Sequence, residues 1–208
     1  MSTSIEIVNG PFDVWAAALD TAYSDISVDA IVAAGWAKIG SSGARHYDEE
    51  GVMLKLPQEM EKVSGLGGTE ILKILRTLEE LFIEFTLFDL SSAEMVKGLN
   101  LATSTTDTAS GSGVGGNQSF SLLRGLSVDG LAMTIRGNNK SSDLVTENIQ
   151  IEIPHMVQVA SPELVFSKGD KAGLKFELQA IADYTYTGGG SAGDFPYGRM
   201  LIGDAVAS

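Results

Sequence analysis

The sequence predicts a mainly β, antiparallel fold with one short α-helix. Three observations carry that prediction. Three runs in the last third alternate apolar and polar residues at period two: Leu131, Met133, Ile135; then Ile149, Ile151, Ile153; then Leu174, Phe176, Leu178, Ala180. Such alternation marks strands with one wet face. Glycine is 24 of 208 residues and proline only 5, a balance that suits many turns and loops between strands. Only one stretch, 92–99, joins a helix-start signal to a short apolar stripe.

Taken in chain order, residues 1–13 read as an N-terminal arm ending in the turn signal Asn9-Gly10-Pro11. Residues 14–23 fit a short helix or a strand. The apolar stretch Ala30–Ala34 closes at Gly35, and Trp36 to Gly40 alternates before Ser41-Ser42-Gly43. Val52, Leu54 and Leu56 predict a strand that Pro57 ends at an edge. The polar piece Gln58–Lys62 runs into loop residues 64–68, so 40–68 reads as a loop region. Residues 69–90 carry two patterns. Ile71, Ile74, Leu75, Leu78, Phe82 and Phe85 fit a helical stripe, while Phe82–Phe88 is aromatic and β-branched and favours a strand. Ser91, three residues before Glu94, is a capping-box pattern, and Met95, Val96 and Leu99 complete the predicted helix 92–99. Residues 102–119 are Ser, Thr, Gly and Asn with the single charge Asp107, which predicts a flexible loop. The turns Gly137-Asn138-Asn139 and Lys168-Gly169-Asp170 separate the late strands. Residues 187–208 read as a C-terminal extension, after a main domain spanning 14–186.

Composition narrows the function. Hydrophobic residues at 44% and charged residues at 20% suffice for a real core. The 27 acids against 14 bases leave a net charge of −13. That balance repels phosphate and anionic lipid and excludes the usual basic nucleic-acid reader. With no cysteine, disulfides, thiolate metal sites and Cys nucleophiles are excluded. His46 and His155 are the only histidines, so a three-His metal site cannot be built within one chain. No run approaches the ~18 apolar residues of a membrane span, and residues 1–8 lack a basic-then-apolar leader pattern, so a soluble chain is expected.

The motifs that suggest chemistry mostly read as loops. Gly111 to Gly116 matches G-x-G-x-x-G, yet lies in a Ser/Thr/Gly stretch instead of a strand-to-helix turn. Gly189-Gly190-Ser191-Ala192-Gly193 matches the nucleophile elbow, but both histidines precede Ser191. His46 with Asp48, Glu49 and Glu50 allows a metal reading, and an acidic solvated loop is the plainer one. Glu79, Glu80 and Glu84 read as a solvated acidic face before a general acid–base pair. The expectation is a protein that is not an enzyme, with no catalytic residue, no metal and no cofactor.

Three stretches together resemble a known family. They are Trp36-Ala-Lys-Ile-Gly40 followed by Tyr47-Asp-Glu-Glu-Gly51-Val-Met-Leu54; Arg76-Thr77-Leu78-Glu79-Glu80 leading into Phe82–Leu87 and helix 92–99; and Leu174–Ala180. This order, over residues 36–183, is similar to the major tail tube proteins of long-tailed, non-contractile bacteriophages and related gene-transfer particles. The resemblance implies a β-sandwich or barrel-like subunit with a flanking helix, and two strands over 69–90. It implies hexameric rings stacked into a tube through which double-stranded DNA passes unbound, in a virion tail assembled in the host cytoplasm. It also implies partners: the chain itself, a tape measure protein, a tail terminator and distal tail or baseplate proteins.

On that reading, Ser41, Arg45, Tyr47, Asp48, Glu49 and Glu59 are the expected contacts between subunits or rings. Glu79, Glu80 and Glu84 are the expected lumen-facing acids, because residues 1–104 hold 16 acids against 7 bases and residues 105–208 hold 11 against 7. Two other readings stay open. One is a β-sandwich module that binds a sugar or receptor through aromatics such as Trp15, Trp36 and Tyr184 to Tyr197. The other is the inner-tube protein of a contractile or secretion apparatus. A metal-dependent hydrolase using His46, Asp48 and Glu50 ranks last.

Overall fold

A computed structural model describes residues 6–26, 34–40, 46–64, 66–67, 70–99, 105–108, 111, 115–122, 126, 128–141, 146–161, 164 and 172–202. Within these residues the chain is mainly β and antiparallel, with one short helix. The strands are β1 (Glu6–Ala17), β2 (Ala37–Lys38), β3 (Met53–Lys55), β4 (Gln58–Ser64), β5 (Ile71–Glu79) and β6 (Phe82–Leu87). After helix α1 (Ser92–Gly98) come β7 (Thr105–Thr108), β8 (Asn117–Ser119), β9 (Leu131–Ser141), β10 (Thr146–Gln158), β11 (Leu174–Ala180) and β12 (Arg199–Ile202).

The main sheet runs β2-β1-β9-β10-β11-β6-β3, with β12 also on β10. Strand β10 serves two neighbours on the edge away from β9. Ile149–Glu152 pair with β12, and Met156–Gln158 pair with β11. Between them the register on β9 slips from Ile153 to Met156, where Pro154 stands without an N–H to donate. The result is sandwich-like. Val14, Met133, Ile135 and Ile153 from one side meet Ile83, Phe85, Leu87, Leu174, Phe176 and Leu178 from the other in one buried cluster. Phe85 stacks on Phe176 with centroids 4.7 Å apart, and Tyr47 lies 5.4 Å from Phe85. Full burial of each such ring is worth about 1.5–3 kcal/mol.

Strands β9 and β10 also have a polar face that is buried. Thr134, Arg136, Asn148, Gln150 and Glu152 alternate with the core residues and are all nearly inaccessible. The chain leaving β1 is pinned across this face. Gln150 Nε2 donates to the Ser24 carbonyl at 2.9 Å. Arg136 Nη2 donates to the Asp25 and Ile26 carbonyls at 2.8 Å, and Asn148 Nδ2 donates to Ile26 at 3.0 Å. Irregular backbone is tolerated there because side chains supply the donors that a sheet partner would.

The helix begins at Ser91, whose Oγ accepts from the Glu94 amide at 3.4 Å. The return half of the expected capping box is replaced: the Ser91 N–H donates to Asp89 Oδ1 at 3.2 Å. The Glu94 side chain instead turns inward beside Lys97 and the Gly40 amide. At the helix end, Gln158 Nε2 donates to the carbonyls of Gly98 and Lys175.

Several expectations are corrected by pairing between distant segments. Residues 6–13, read as part of an arm, are the first part of β1 on β9, and the Asn9-Gly10-Pro11 turn signal falls at a register shift between Val8 and Phe12. Residues 14–17 are strand. The supposed turn 137–139 lies inside β9, and Gly137 gives room to the Phe12 ring: a Cβ there would sit 2.4 Å from Phe12 Cδ1. The supposed flexible loop 102–119 contains the β7–β8 hairpin, and the Ser92 hydroxyl donates to Gln118 Oε1. In the supposed C-terminal extension, β12 completes the sheet on β10. Most of the apolar stretch from Ala30, and the turn at 168–170, lie outside the described residues.

Candidate assembly surface

Residues 53–87 form one long hairpin with a kink. Its base, β3 on β6, belongs to the main sheet, where Met53 opposes Glu84 and Lys55 opposes Phe82. The strands break at Leu56-Pro57 and Glu80-Leu81, where the Glu80 amide donates to the Pro57 carbonyl at 3.1 Å. Beyond that joint they continue as β4 on β5, which pack chiefly on each other. This ribbon corrects two expectations. The polar piece Gln58–Lys62, read as loop, is strand β4. The Arg76-Thr77-Leu78-Glu79 stretch is strand with a bulge at Thr77, and Glu80-Leu81 is the break between β5 and β6. The expectation of two strands over 69–90 matches β5 and β6.

Every residue of β4 and β5 is exposed, including Met60 at 50%, Ile71 at 52%, Leu72 at 69% and Ile74 at 53%. The register puts Met60, Ile71 and Ile74 on one face with Lys62 and Arg76. It puts Val63, Leu75 and Leu78 on the other with Glu59, Glu61 and Lys73. Neither strand has a second strand beside it among the described residues. A lone two-stranded ribbon with apolar side chains on both faces is marginal in water, and its open edges are templates for another strand. It is also electrically balanced. Its strands carry three acids, Glu59, Glu61 and Glu79, and three bases, Lys62, Lys73 and Arg76, within a chain of net charge −13.

The expected contact residues divide. Ser41 and Arg45 lie outside the described residues. Glu59 is on the ribbon, and Glu49 is exposed in the turn that Asp48 closes by accepting at its carbonyl from the Gly51 amide at 2.9 Å. Asp48 also joins the edge of β6, donating its N–H to Thr86 at 2.9 Å. Tyr47 is part of the core within the chain, only 7% exposed. Its hydroxyl accepts from the Val14 amide at 3.1 Å and donates to the Ile39 carbonyl at 2.8 Å, which ties β1 to the end of β2. Burial pushes its hydroxyl pKa well above the ordinary tyrosine value.

The three expected lumen acids do not gather into one wall. Glu79 ends the ribbon and pairs with Arg76 at 3.1 Å. Glu80 sits at the joint and accepts from Gln179 at 2.9 Å. Glu84 lies on the outer face of β6, opposite Glu177, and pairs with Lys55 at 2.7 Å. His46, Asp48 and Glu50 form no metal site: no three His, Asp or Glu side chains among the described residues come close enough to hold an ion. His46 Nδ1 instead lies 3.3 Å from Asp89. Ser191 sits in a turn where its N–H donates to Asp194 Oδ2, and strand β8 follows the Gly111–Gly116 segment, so neither glycine motif has its required context.

No helix among the described residues is long and apolar enough to cross a membrane. No protein-family model matches the chain, and no curated protein matches it.

Proposed function

We propose that the chain is a structural subunit that assembles with copies of itself, in the manner of a phage tail tube protein. The carrying observation is the projecting β4–β5 ribbon, exposed on both faces, apolar and open at its edges. The occupant of that surface is a second copy of this chain. The strongly acidic bodies repel one another, and the charge-balanced ribbon is where one copy meets the next without a like-charge penalty. Contact of the ribbon with the body of a neighbour is heterologous: it closes into a ring where the rotation between copies closes, and rings stacked head to tail extend as an open-ended tube. The acidic excess suits a conduit that lets double-stranded DNA slide past.

Sedimentation velocity and negative-stain electron microscopy of the purified chain test this. Rings or tubes that grow with concentration are the expected result. A monomer at every concentration and salt condition overturns it.

A further inference from the structure

We infer that a second site, a cleft between the exit of β1 and the turns before β12, binds a neutral polyhydroxylated ring: a monosaccharide or disaccharide. The cleft has a volume of ≈ 360 Å³ and is lined by Asp20 to Tyr23, Glu152, Asp183, Thr185 to Gly189 and Arg199, with Ala132 and Pro154. That is the small end of the ~300–1,000 Å³ range of ligand clefts and suits one or two sugar rings.

The chemistry follows from which lining groups are already committed. Glu152, 1% exposed, accepts from Gln150 Nε2 at 2.6 Å, Tyr186 Oη at 2.6 Å and Arg199 Nε at 2.7 Å. Asp183 Oδ1 accepts from the Thr185 hydroxyl at 2.6 Å and amide at 2.8 Å. These two carboxylates hold the walls in place. Two features remain for a ligand at the surface of the cleft. Asp20 is an exposed carboxylate at the rim. Arg199 spends Nε on Glu152 and keeps Nη1 beside Gly189, where a Cβ would come within 3.2 Å.

One carboxylate and one guanidinium edge together offer both acceptors and donors. A ligand hydroxyl, which donates and accepts at a single atom, satisfies such a mixed wall. A phosphate or carboxylate ligand is repelled by Asp20, Asp183 and Glu152 against the single Arg199. A metal ion has no three-ligand cluster among the described residues. An organic cation meets Arg199 and finds only Asp20 uncommitted. Tyr23 and Tyr186, edge-on at 5.7 Å, add apolar ring carbon to the wall. None of these groups lies on the ribbon, so the inference stands or falls apart from self-assembly.

The test is a two-dimensional ¹H–¹⁵N NMR titration of the full chain. The probes are methyl glycosides of glucose, galactose, mannose and N-acetylglucosamine, with glycerol and putrescine as the small-polyol and cation arms. Saturable shifts at Tyr23, Tyr186 and Thr187 with at least one glycoside are expected. Asp20→Asn, on the exposed rim, is expected to keep the parent's Tm and weaken that glycoside about tenfold. Tyr23→Phe, which removes a hydroxyl closed to solvent, is expected to leave the affinity unchanged. Tighter binding of the methyl glycoside than of the free reducing sugar supports a glycan terminus as the source, and the reverse supports a soluble sugar. No saturable shift with any glycoside up to about 100 mM, putrescine binding tighter than every glycoside, or unchanged affinity in Asp20→Asn overturns the inference.

Discussion

Excising the ribbon separates folding from assembly. The variant replaces residues 58–79 with a turn of about four residues joining Pro57 to Glu80. The joint is ready-made, since the Glu80 amide already bonds the Pro57 carbonyl at 3.1 Å. Every residue of β4 and β5 is exposed, and the contact to the body that is lost is the hydrogen bond from the Tyr197 hydroxyl to the Glu79 carbonyl at 3.3 Å. Shortening the connection from 22 residues to about four reduces loop-closure entropy by about 1.5 kcal/mol in favour of the folded state. We therefore predict cooperative urea unfolding with a midpoint equal to or slightly above the parent's. Association changes far more. Met60, Ile71, Leu72 and Ile74 are each half or more exposed. Covering the exposed half of each is worth about 1 kcal/mol, or about 4 kcal/mol per contact, roughly a thousandfold in the association constant. Sedimentation velocity at matched concentrations reads that difference. A shortened chain that assembles as well as the parent refutes the ribbon as the interface. One that no longer unfolds cooperatively refutes the claim that the ribbon lies outside the core.

Other predictions concern the body of the subunit. Tyr47→Phe keeps the ring on Phe85 but strands the Val14 N–H, which donates to the hydroxyl; a loss of about 1–3 kcal/mol is expected in chemical denaturation. Gly198→Ala should cost about 2–4 kcal/mol. Gly198 sits at φ +111°, and a Cβ there would come 2.0 Å from the Glu152 carbonyl oxygen; an unchanged Tm would contradict that close approach. Burial raises the Glu94 carboxyl above its ordinary value, with Lys97 opposing. The folded state thus holds this proton more tightly than the unfolded chain does. Its stabilising contribution is complete below the ordinary Glu pKa of about 4.3 and is lost as pH rises through the higher folded value. Glu94→Gln should remove that loss, so the stability of the variant relative to the parent should climb as pH rises above about 4.3 in urea titrations; a constant difference would show that Glu94 does not carry the dependence.

Much of the fold was legible because its signals are local. The alternation at 174–180 coincides with β11, and that at 131–136 and 149–154 lies within β9 and β10, because a strand buried on one face must repeat at period two. Ser91 and the stripe after it announced α1 within one turn of its ends. The ribbon was hidden because Gln58–Lys62 buries nothing and shows no apolar alternation; it is a strand only because β5 pairs with it. Tyr47 looked like a surface aromatic in an acidic loop, and only the meeting of β1, β2 and β6 encloses it. The cleft had no signal at all, since its groups come from residues 20–23, 152, 183–189 and 199. By itself the sequence determined the class of fold, the excess of acid and the period of the core strands, which depend on neighbours a few residues apart. Which segments pair, which face is covered and where polar groups converge were decided by the tertiary structure, because hydrogen bonds between strands join residues that the chain keeps far apart.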